Sequence, residues 1–187
     1  MPIKMPEPHS PAIAESETVR LRRLRPSDRA QFRTYRAHPN VARFQDWPDM
    51  SNTEMDGFLQ HMSQLEPILQ PGKWAQIAIA HPKTDALIGD MGWHLSDESS
   101  DVELGVTIDP NHQRKGCAES AMRLALSFVF TQSQIDTVIC GADPRNAASL
   151  ALIHKLGFTF THLDPSPMED GIMDEMFAMT RAAFNAN

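Results

Sequence analysis

The sequence has few cysteines and no long apolar run, the features on which disulfide-rich and membrane-spanning proteins depend. It contains two cysteines, Cys117 and Cys140, and they lack the C-x-x-C spacing of a zinc or redox site. No apolar run approaches the roughly 18 residues that a membrane-spanning helix needs. These absences argue against a disulfide scaffold and a membrane-spanning protein, and they fit a reducing, cytoplasmic setting.

Positive charge is also scarce. The chain has 17 Lys and Arg against 24 Asp and Glu, which gives a formal net charge of −7. Nucleic-acid binders neutralise phosphates with basic side chains, so this balance argues against a nucleic-acid partner. An acidic surface keeps a protein soluble, and it could also favour a cationic acceptor. The eight histidines show no metal-binding spacing, so no metal site is expected.

Length and patterning predict one α/β domain. The chain of 187 residues suits a single domain of ordinary size. Apolar alternation predicts strands at 18–24, 73–82, 86–96, 101–109, 136–142, 158–163 and 172–180. With four helices between them, the predicted order is β-α-α-β-β-β-α-β-α-β-β around a mixed, mostly antiparallel sheet. The proline-rich segment 1–16 is predicted to be flexible, ahead of a domain at 17–187.

Capping signals mark the ends of three predicted helices. Ser27 is a candidate N-cap for a helix that stops near Pro39. Ser51 and Glu54 form an S-x-x-E capping box at the start of the second helix. Gly157 is expected to end the last helix, since glycine readily adopts the left-handed conformation found after helix ends.

The stretch HQRKGCAES, residues 112–120, has features of an anion site. Gly116 precedes a helical pattern, where glycine permits a positive φ and close approach to the backbone. Unpaired N–H groups at a helix start favour negative charge, and Arg114 and Lys115 add two cations. The spacing matches neither a P-loop nor a dinucleotide fingerprint. These residues alone are equally consistent with a pyrophosphate site and with an ordinary turn bearing a solvated basic pair.

Four blocks of the sequence together resemble the GCN5-related N-acetyltransferase (GNAT) superfamily. The stretch from Gln113 to Ala118 matches its acyl-CoA loop, Gln/Arg-x-x-Gly-x-Gly/Ala, and follows the strand-like ELGVTIDP. NAASLALIHKLGFTF is similar to its Asn-x-x-Ser…Lys-Leu-Gly-Phe segment. TVRLRRLRPSD…HPNVARFQDWP and MDEMFAMTRAAF resemble blocks of the ribosomal-protein-alanine N-acetyltransferase-like (RimJ/RimL-type) branch. The resemblance covers about residues 17–184.

The resemblance implies a fold and a set of residues that bind acetyl-CoA. The sheet of this single-domain fold would splay between the strands at 102–109 and 136–142. Pantetheine would lie in the gap and pair with the backbone around Val106 and Ile108, as an added strand pairs with a sheet edge. The loop that would hold the pyrophosphate consists of Gln113, Arg114, Lys115, Gly116, Cys117 and Ala118.

The resemblance also suggests polar residues for the chemistry, each with a structural alternative. Glu103 is the candidate general base for the amine proton, and the alternative is a structural or solvent-facing glutamate. Ser149 would hydrogen-bond or protonate the CoA thiolate, and Asn146 would reach the pantetheine amides. Either of them could instead only cap the 147–156 helix. Ile153 stands where many members of the superfamily carry a tyrosine acid.

The sequence therefore predicts an acetyl-CoA-dependent N-acetyltransferase that acts on a primary amine. The acceptor, a protein N-terminus or a small molecule, has no readable code in the variable segment 38–75. Phe44 and Trp47 in that segment could form a lid, and His94 and Trp93 could either line the acceptor pocket or belong to the core. The missing tyrosine supports an alternative, a catalytically weak or inactive module that binds or senses acyl-CoA. A homodimer would be unsurprising.

Overall fold

Among residues 11–98 and 100–186, which this computed structural model describes, eight strands form one sheet. The strands are β1 (Ala12–Glu15), β2 (Arg20–Arg23), β3 (Lys73–Ala80), β4 (Leu87–Leu95), β5 (Asp101–Ile108), β6 (Thr137–Ala142), β7 (Thr159–Pro165) and β8 (Met173–Thr180). The helices are α1 (Arg29–Arg36), α2 (Pro39–Ala42), α3 (Asn52–Gln64), α4 (Cys117–Gln132), α5 (Ala147–Leu156) and α6 (Arg181–Ala186).

The order of the strands is β1-β2-β3-β4-β5-β6-β8-β7, and only β5 and β6 pair in parallel. The predicted α/β fold with a mostly antiparallel sheet is therefore confirmed. The β5–β6 register ends where Glu103 lies opposite Ile139, although β5 continues to Ile108 and β6 to Ala142. The predicted splay between these strands begins at this point.

Helices cover both faces of the central strands. Asp90 and Trp93 point to opposite faces, because they lie three residues apart on β4. Tyr35 of α1 donates a hydrogen bond to Asp90, whereas the ring of Trp93 lies 5.3 Å from that of Phe128 on α4. Helices α1 and α4 therefore pack on opposite faces. The double coverage explains why β3 and β4 read as nearly continuous apolar runs.

A buried carboxylate on β4 ties α1 to the sheet. Asp90 has no exposed surface, and it accepts hydrogen bonds from Tyr35 at 2.5 Å, from Arg36 and from Gln76. Desolvation, followed by the nearby charge of Asp90, raises the pKa of Tyr35 well above its ordinary range. The guanidinium of Arg36 also lies 3.8 Å from the ring centroid of Trp47. One carboxylate thus anchors both α1 and the segment that follows it.

The N-terminal region differs from its prediction. Ala12–Glu15 form β1 and pair with β2, although they fall within the segment 1–16 predicted to be flexible. Ile13 and Ala14 pack against the core, which stabilises this edge strand. The prediction for residues 1–10 lies outside the described residues, and the domain division at residue 17 stays a prediction.

The structure also differs in two features from the helix predicted between Ser27 and Pro39. Helix α1 begins at Arg29 without a Ser27 cap, because Pro26–Asp28 form a 3₁₀ turn whose Asp28 carboxylate binds Arg22. Helix α1 ends at Arg36, as the predicted stop near Pro39 requires, but Pro39 then begins the short α2, which the prediction lacks, because proline is tolerated in the first turn of a helix.

The remaining local signals are confirmed. Ser51 and Glu54 form the predicted capping box, and Gly157 ends α5 in the left-handed conformation with a φ of 89°. Helix α6 has no counterpart in the prediction. No helix within residues 11–98 and 100–186 combines the length and the apolar character needed to cross a membrane.

Replacing Asp90 with alanine should lower the free energy of unfolding by about 3–5 kcal/mol, because Arg36 would stay buried without its partner. Urea denaturation measures this loss. Asp56→Ala is the matched control, since its ion pair with Arg29 is about half exposed and should contribute less than about 1 kcal/mol. Equal losses in the two variants would show that Asp90 is not needed to neutralise the buried Arg36.

Candidate active site

The separation of β5 from β6 opens a cleft of about 690 Å³. Its walls come from the second half of β5, the end of β6 and the first turns of α4 and α5. Val41, Phe44 and Gln45, which follow α1 along the chain, line it as well. Since α1 and α4 pack on opposite faces, the cleft is lined by segments from both sides of the sheet. Two ligands could therefore approach each other through the gap.

The loop before α4 has the backbone geometry of an anion site. Gly116 is the N-cap of α4 with a left-handed φ of 78°, and no side chain caps this helix. The N–H of Ser120 donates to the carbonyl of Gly116 at 3.0 Å, so the N–H groups of Cys117 and Ala118 precede the first intrahelical bond. A Cβ atom at Gly116 would meet nothing within 4 Å. Gly116 therefore leaves open space beside the positive end of the helix, where these N–H groups lie.

Two side chains of this loop, those of Gln113 and Lys115, hold the loop itself. Gln113 Nε2 donates to the carbonyl of Ile108 at 3.0 Å, and Lys115 Nζ donates to the carbonyl of Asn111 at 2.7 Å. Of the six predicted loop residues, all but Lys115 are among the described residues that line the cleft. Burial raises the pKa of the Cys117 thiol, so this thiol is not an activated nucleophile.

The other predicted binding residues also line the cleft. Val106 and Ile108 contribute the wall formed by β5, beyond the last β5–β6 pair. Asn146 and Ser149 line the side formed by α5. Asn146 Oδ1 accepts a hydrogen bond from the N–H of Ser149 at 3.2 Å, so Asn146 caps α5, as its structural alternative predicts. This cap leaves the side-chain amide N–H groups of Asn146 and the hydroxyl of Ser149 for a ligand.

Glu103 lies where β5 and β6 separate. It stands opposite His94 on β4 and Ile139 on β6, next along the chain to the cleft-lining Leu104. Burial raises the pKa of Glu103, the charge of His94 opposes the shift, and the charge of Asp101 adds to it. A carboxyl group in this state can accept a proton closer to neutral pH than an exposed glutamate can.

A buried thiol adjoins Glu103 at the base of the cleft. Cys140 on β6 is 3% exposed and lines the cleft. Burial, with the charge of Glu103 as a second cause, raises the pKa of Cys140 to about 12. The thiol therefore stays protonated, and Ile153, which also lines the cleft, adds no titratable group.

Gln45 and Trp74 are among the residues at or near the cleft that sequence reasoning missed. Gln45 Oε1 accepts a hydrogen bond from Thr107 Oγ1 at 3.1 Å, and both residues line the cleft. Trp74 is 50% exposed, and its ring lies 4.9 Å from that of His94 at an interplanar angle of 27°. Strand alternation could have indicated that Trp74 and Gln76 share a face. Nothing in the sequence around Gln45 indicates its contact.

The two predicted lid residues, Phe44 and Trp47, lie in different surroundings. Phe44 lines the cleft, whereas Trp47 packs edge to face against Phe32 and Phe58. Trp93 is fully buried in the core, so only His94 of that predicted pair is partly exposed. Among residues 11–98 and 100–186, no group of three or more potential metal ligands occurs.

A parallel strand pair that splays over a helix N-terminus is characteristic of an acyl-CoA-dependent acyltransferase, and sequence comparison agrees. The sequence model of the acetyltransferase (GNAT) domain matches residues 18–159. The chain therefore belongs to the GNAT family of acetyltransferases, whose members use acetyl-CoA.

Individual relatives are distant in sequence. An uncharacterized N-acetyltransferase, p20 of Bacillus licheniformis, is 23% identical over 76% of this chain and 80% of its own length. The spermidine N-acetyltransferase of Vibrio cholerae, solved in complex with CoA and spermine, aligns with a TM-score of 0.75 at 16% identity, covering 91% of this chain and 99% of that chain. The ribosomal-protein-S5-alanine acetyltransferase of Vibrio fischeri aligns with a TM-score of 0.71 at 16% identity, covering 91% and 97%. At this identity the two structures show a shared fold, and the branch within the family stays a prediction.

Gly116→Val should weaken acetyl-CoA binding by ~10-fold or more, because a misplaced methyl group in a fitted pocket has an effect of that size. Isothermal titration calorimetry measures the dissociation constant. Gly171→Val is the matched control, since Gly171 also has a positive φ, 83°, with no atom near an added Cβ. Both variants bear similar backbone strain, so equal acetyl-CoA affinities would contradict an anion site at Gly116.

Proposed function

We propose that this protein transfers the acetyl group of acetyl-CoA to a primary amine. The observation that carries the proposal is the cleft through the sheet. The start of α4 lines one side of the cleft, and Glu103, whose pKa is raised by burial, lies next along β5 to the cleft-lining Leu104. Membership of the GNAT family supports the same reaction.

Successive parts of the cleft bind successive parts of acetyl-CoA. The N–H groups from Arg114 to Ala118 hold the pyrophosphate, because a helix N-terminus stabilises an anion. The pantetheine arm pairs with the β5 backbone around Val106 and Ile108, where β6 no longer does. The amide of Asn146 reaches the pantetheine amides from the start of α5.

The chemistry needs one base, one oxyanion donor and one proton for sulfur. The neutral amine attacks the thioester carbonyl, so that a C–N bond forms and the C–S bond breaks. Glu103 takes the proton that the amine nitrogen loses, directly or through water. A backbone N–H of β5 stabilises the oxyanion, and Ser149 hydrogen-bonds or protonates the departing thiolate. Ile153 cannot supply that proton, so the hydroxyl of Ser149 or a water molecule does.

The acceptor is a protein N-terminus or a small-molecule amine. The two similar structures act, by their names, on spermidine and on an alanine of a ribosomal protein, so the shared fold is compatible with both classes. The resemblance of the N-terminal and closing blocks to the RimJ/RimL-type branch favours the first class. The two free cysteines, both buried, suit a cytoplasmic enzyme.

Acetyl-CoA should raise the melting temperature of the protein by several degrees, and ATP should not. A ligand at a hundred times its dissociation constant adds about 2.7 kcal/mol of stability, which differential scanning fluorimetry detects readily in a domain of this size. No shift at saturating acetyl-CoA would contradict the proposed function. A shift without acetylation of any amine would favour the alternative, an acyl-CoA-binding module.

Glu103→Gln should lower kcat by about 10²–10⁴-fold, the usual contribution of a general base. The base must be deprotonated to act, and burial raises the pKa of Glu103, so the acidic limb of kcat/KM should lie above the range of an ordinary glutamate. Asp101→Asn removes a charge that raises this pKa and should shift the limb to lower pH. His94 on β4 and Cys140 on β6 also face Glu103, and both variants retain them.

Glu98→Gln is the control for this pair of variants, since Glu98 lies exposed in the turn between β4 and β5. It should leave both kcat and the pH profile unchanged. Undiminished turnover in Glu103→Gln would remove the base assignment and leave the rest of the proposed function standing.

A further inference from the structure

The face of the sheet that carries Asp90 has a gap in its side chains next to the cleft. Three rows of paired residues cross β3, β4 and β5 on this face. The rows are Trp74–His94–Glu103, Gln76–Gly92–Gly105 and Ala78–Asp90–Thr107. The middle row has glycine on both β4 and β5. On this face, neither strand therefore contributes a side chain between the row of Glu103 and the row of Thr107.

Trp74 forms one wall of this gap. A Cβ atom at Gly92 would lie 2.9 Å from Cζ3 of Trp74, so the indole lies directly over Gly92 and occupies the space of the missing side chain. The indole also stacks on His94, yet half of its surface remains exposed. Trp74 therefore presents a large, flat apolar surface in the row that leads to Glu103.

Gly105 forms the open floor. A Cβ atom added at Gly105 would meet nothing within 4 Å, and Gly105 lines the cleft. Gly105 and Glu103 share a face and lie two residues apart, about 6.6 Å along the strand. A distance of this order is the span of one extended dipeptide unit.

Gln45 forms the opposite wall. Its Oε1 accepts the hydrogen bond of Thr107 Oγ1, which lies two residues beyond Gly105 on the same face. This bond uses only the carbonyl end of the amide, so the two N–H groups of Nε2 can donate to a ligand in the cleft. A ligand above Gly105 would thus meet a carboxylate on one side and an amide donor on the other.

We infer that the open floor over Gly105, beside the indole that covers Gly92, is the acceptor subsite, and that it takes the amino-terminal end of a peptide chain. The inference rests on the proposed function and names its substrate class. The terminal amine lies beside Glu103, the first peptide carbonyl accepts from Gln45 Nε2, and the first side chain packs on the indole of Trp74. A polyamine has no carbonyl oxygen for Gln45, which is why the geometry favours a peptide.

Calorimetric titration of the CoA-saturated protein with an alanine tetrapeptide amide tests the subsite without turnover. Gly105→Ala should weaken peptide binding by ~10-fold or more, since the added methyl fills the floor. This variant should fold normally because the methyl meets no protein atom. Trp74→Ala should also weaken binding, whereas Phe160→Ala on the distant edge strand β7 should not, although Phe160 is equally exposed at 50%. CoA affinity should be the same in all three variants.

Gln45→Met tests the substrate class. It removes the amide donor at nearly constant volume and should weaken binding of the tetrapeptide by about three- to tenfold, the value of one hydrogen bond. The same peptide acetylated at its N-terminus should bind poorly to the unaltered protein, and so should spermidine.

Unchanged peptide affinity in both Gly105→Ala and Trp74→Ala would overturn the subsite. Binding of spermidine in place of the peptide, or equal binding of the acetylated peptide, would overturn the substrate class. Peptide binding with these mutational effects but without acetylation would support the subsite and contradict the proposed function, so the two failures are distinguishable.

Discussion

The candidate site depends on the early end of the pairing between β5 and β6. The pairing runs from Asp101 and Thr137 to Glu103 and Ile139 and then stops. Beyond that point, the backbone groups of β5 that face β6 must find other partners. Gln113 satisfies one such group, the carbonyl of Ile108, from the loop that leads into α4. Continued pairing would close the cleft and cover the edge on which a ligand's amide groups can bind. The interruption therefore leaves an open strand edge in the cleft, between the loop before α4 and the part of β5 next to Glu103.

The second constraint is the buried network around Asp90, which holds the other side of the site in place. Arg36 contacts both Asp90 and the ring of Trp47, so the segment that carries Phe44 and Gln45 is attached to the sheet. Burial of an ion pair adds little net stability, because desolvation offsets most of the attraction. Its value here is positional, since it fixes where this segment meets the cleft.

Local signals in the sequence predicted local structure well. The left-handed conformations at Gly116 and Gly157 and the capping box at Ser51 were predictable because each depends on a few neighbouring residues. The edge strand β1 and the short α2 were not, because packing of Ile13 on the core and the tolerance of proline at a helix start decided them. The roles of Glu103 and Ser149 stay predictions, although both residues lie at or beside the cleft.

The sequence by itself determined the order of the seven longer or central strands and the four main helices, the family and the loop at Gly116, because apolar periodicity and short motifs report on contiguous residues. Only the tertiary structure decided that Trp74 lies over Gly92, that Gly105 opens onto the cleft, and that Gln45 reaches Thr107. The physical reason is strand register. A row of side chains across β3, β4 and β5 joins residues about 30 positions apart, and no local pattern specifies which of them stand opposite each other.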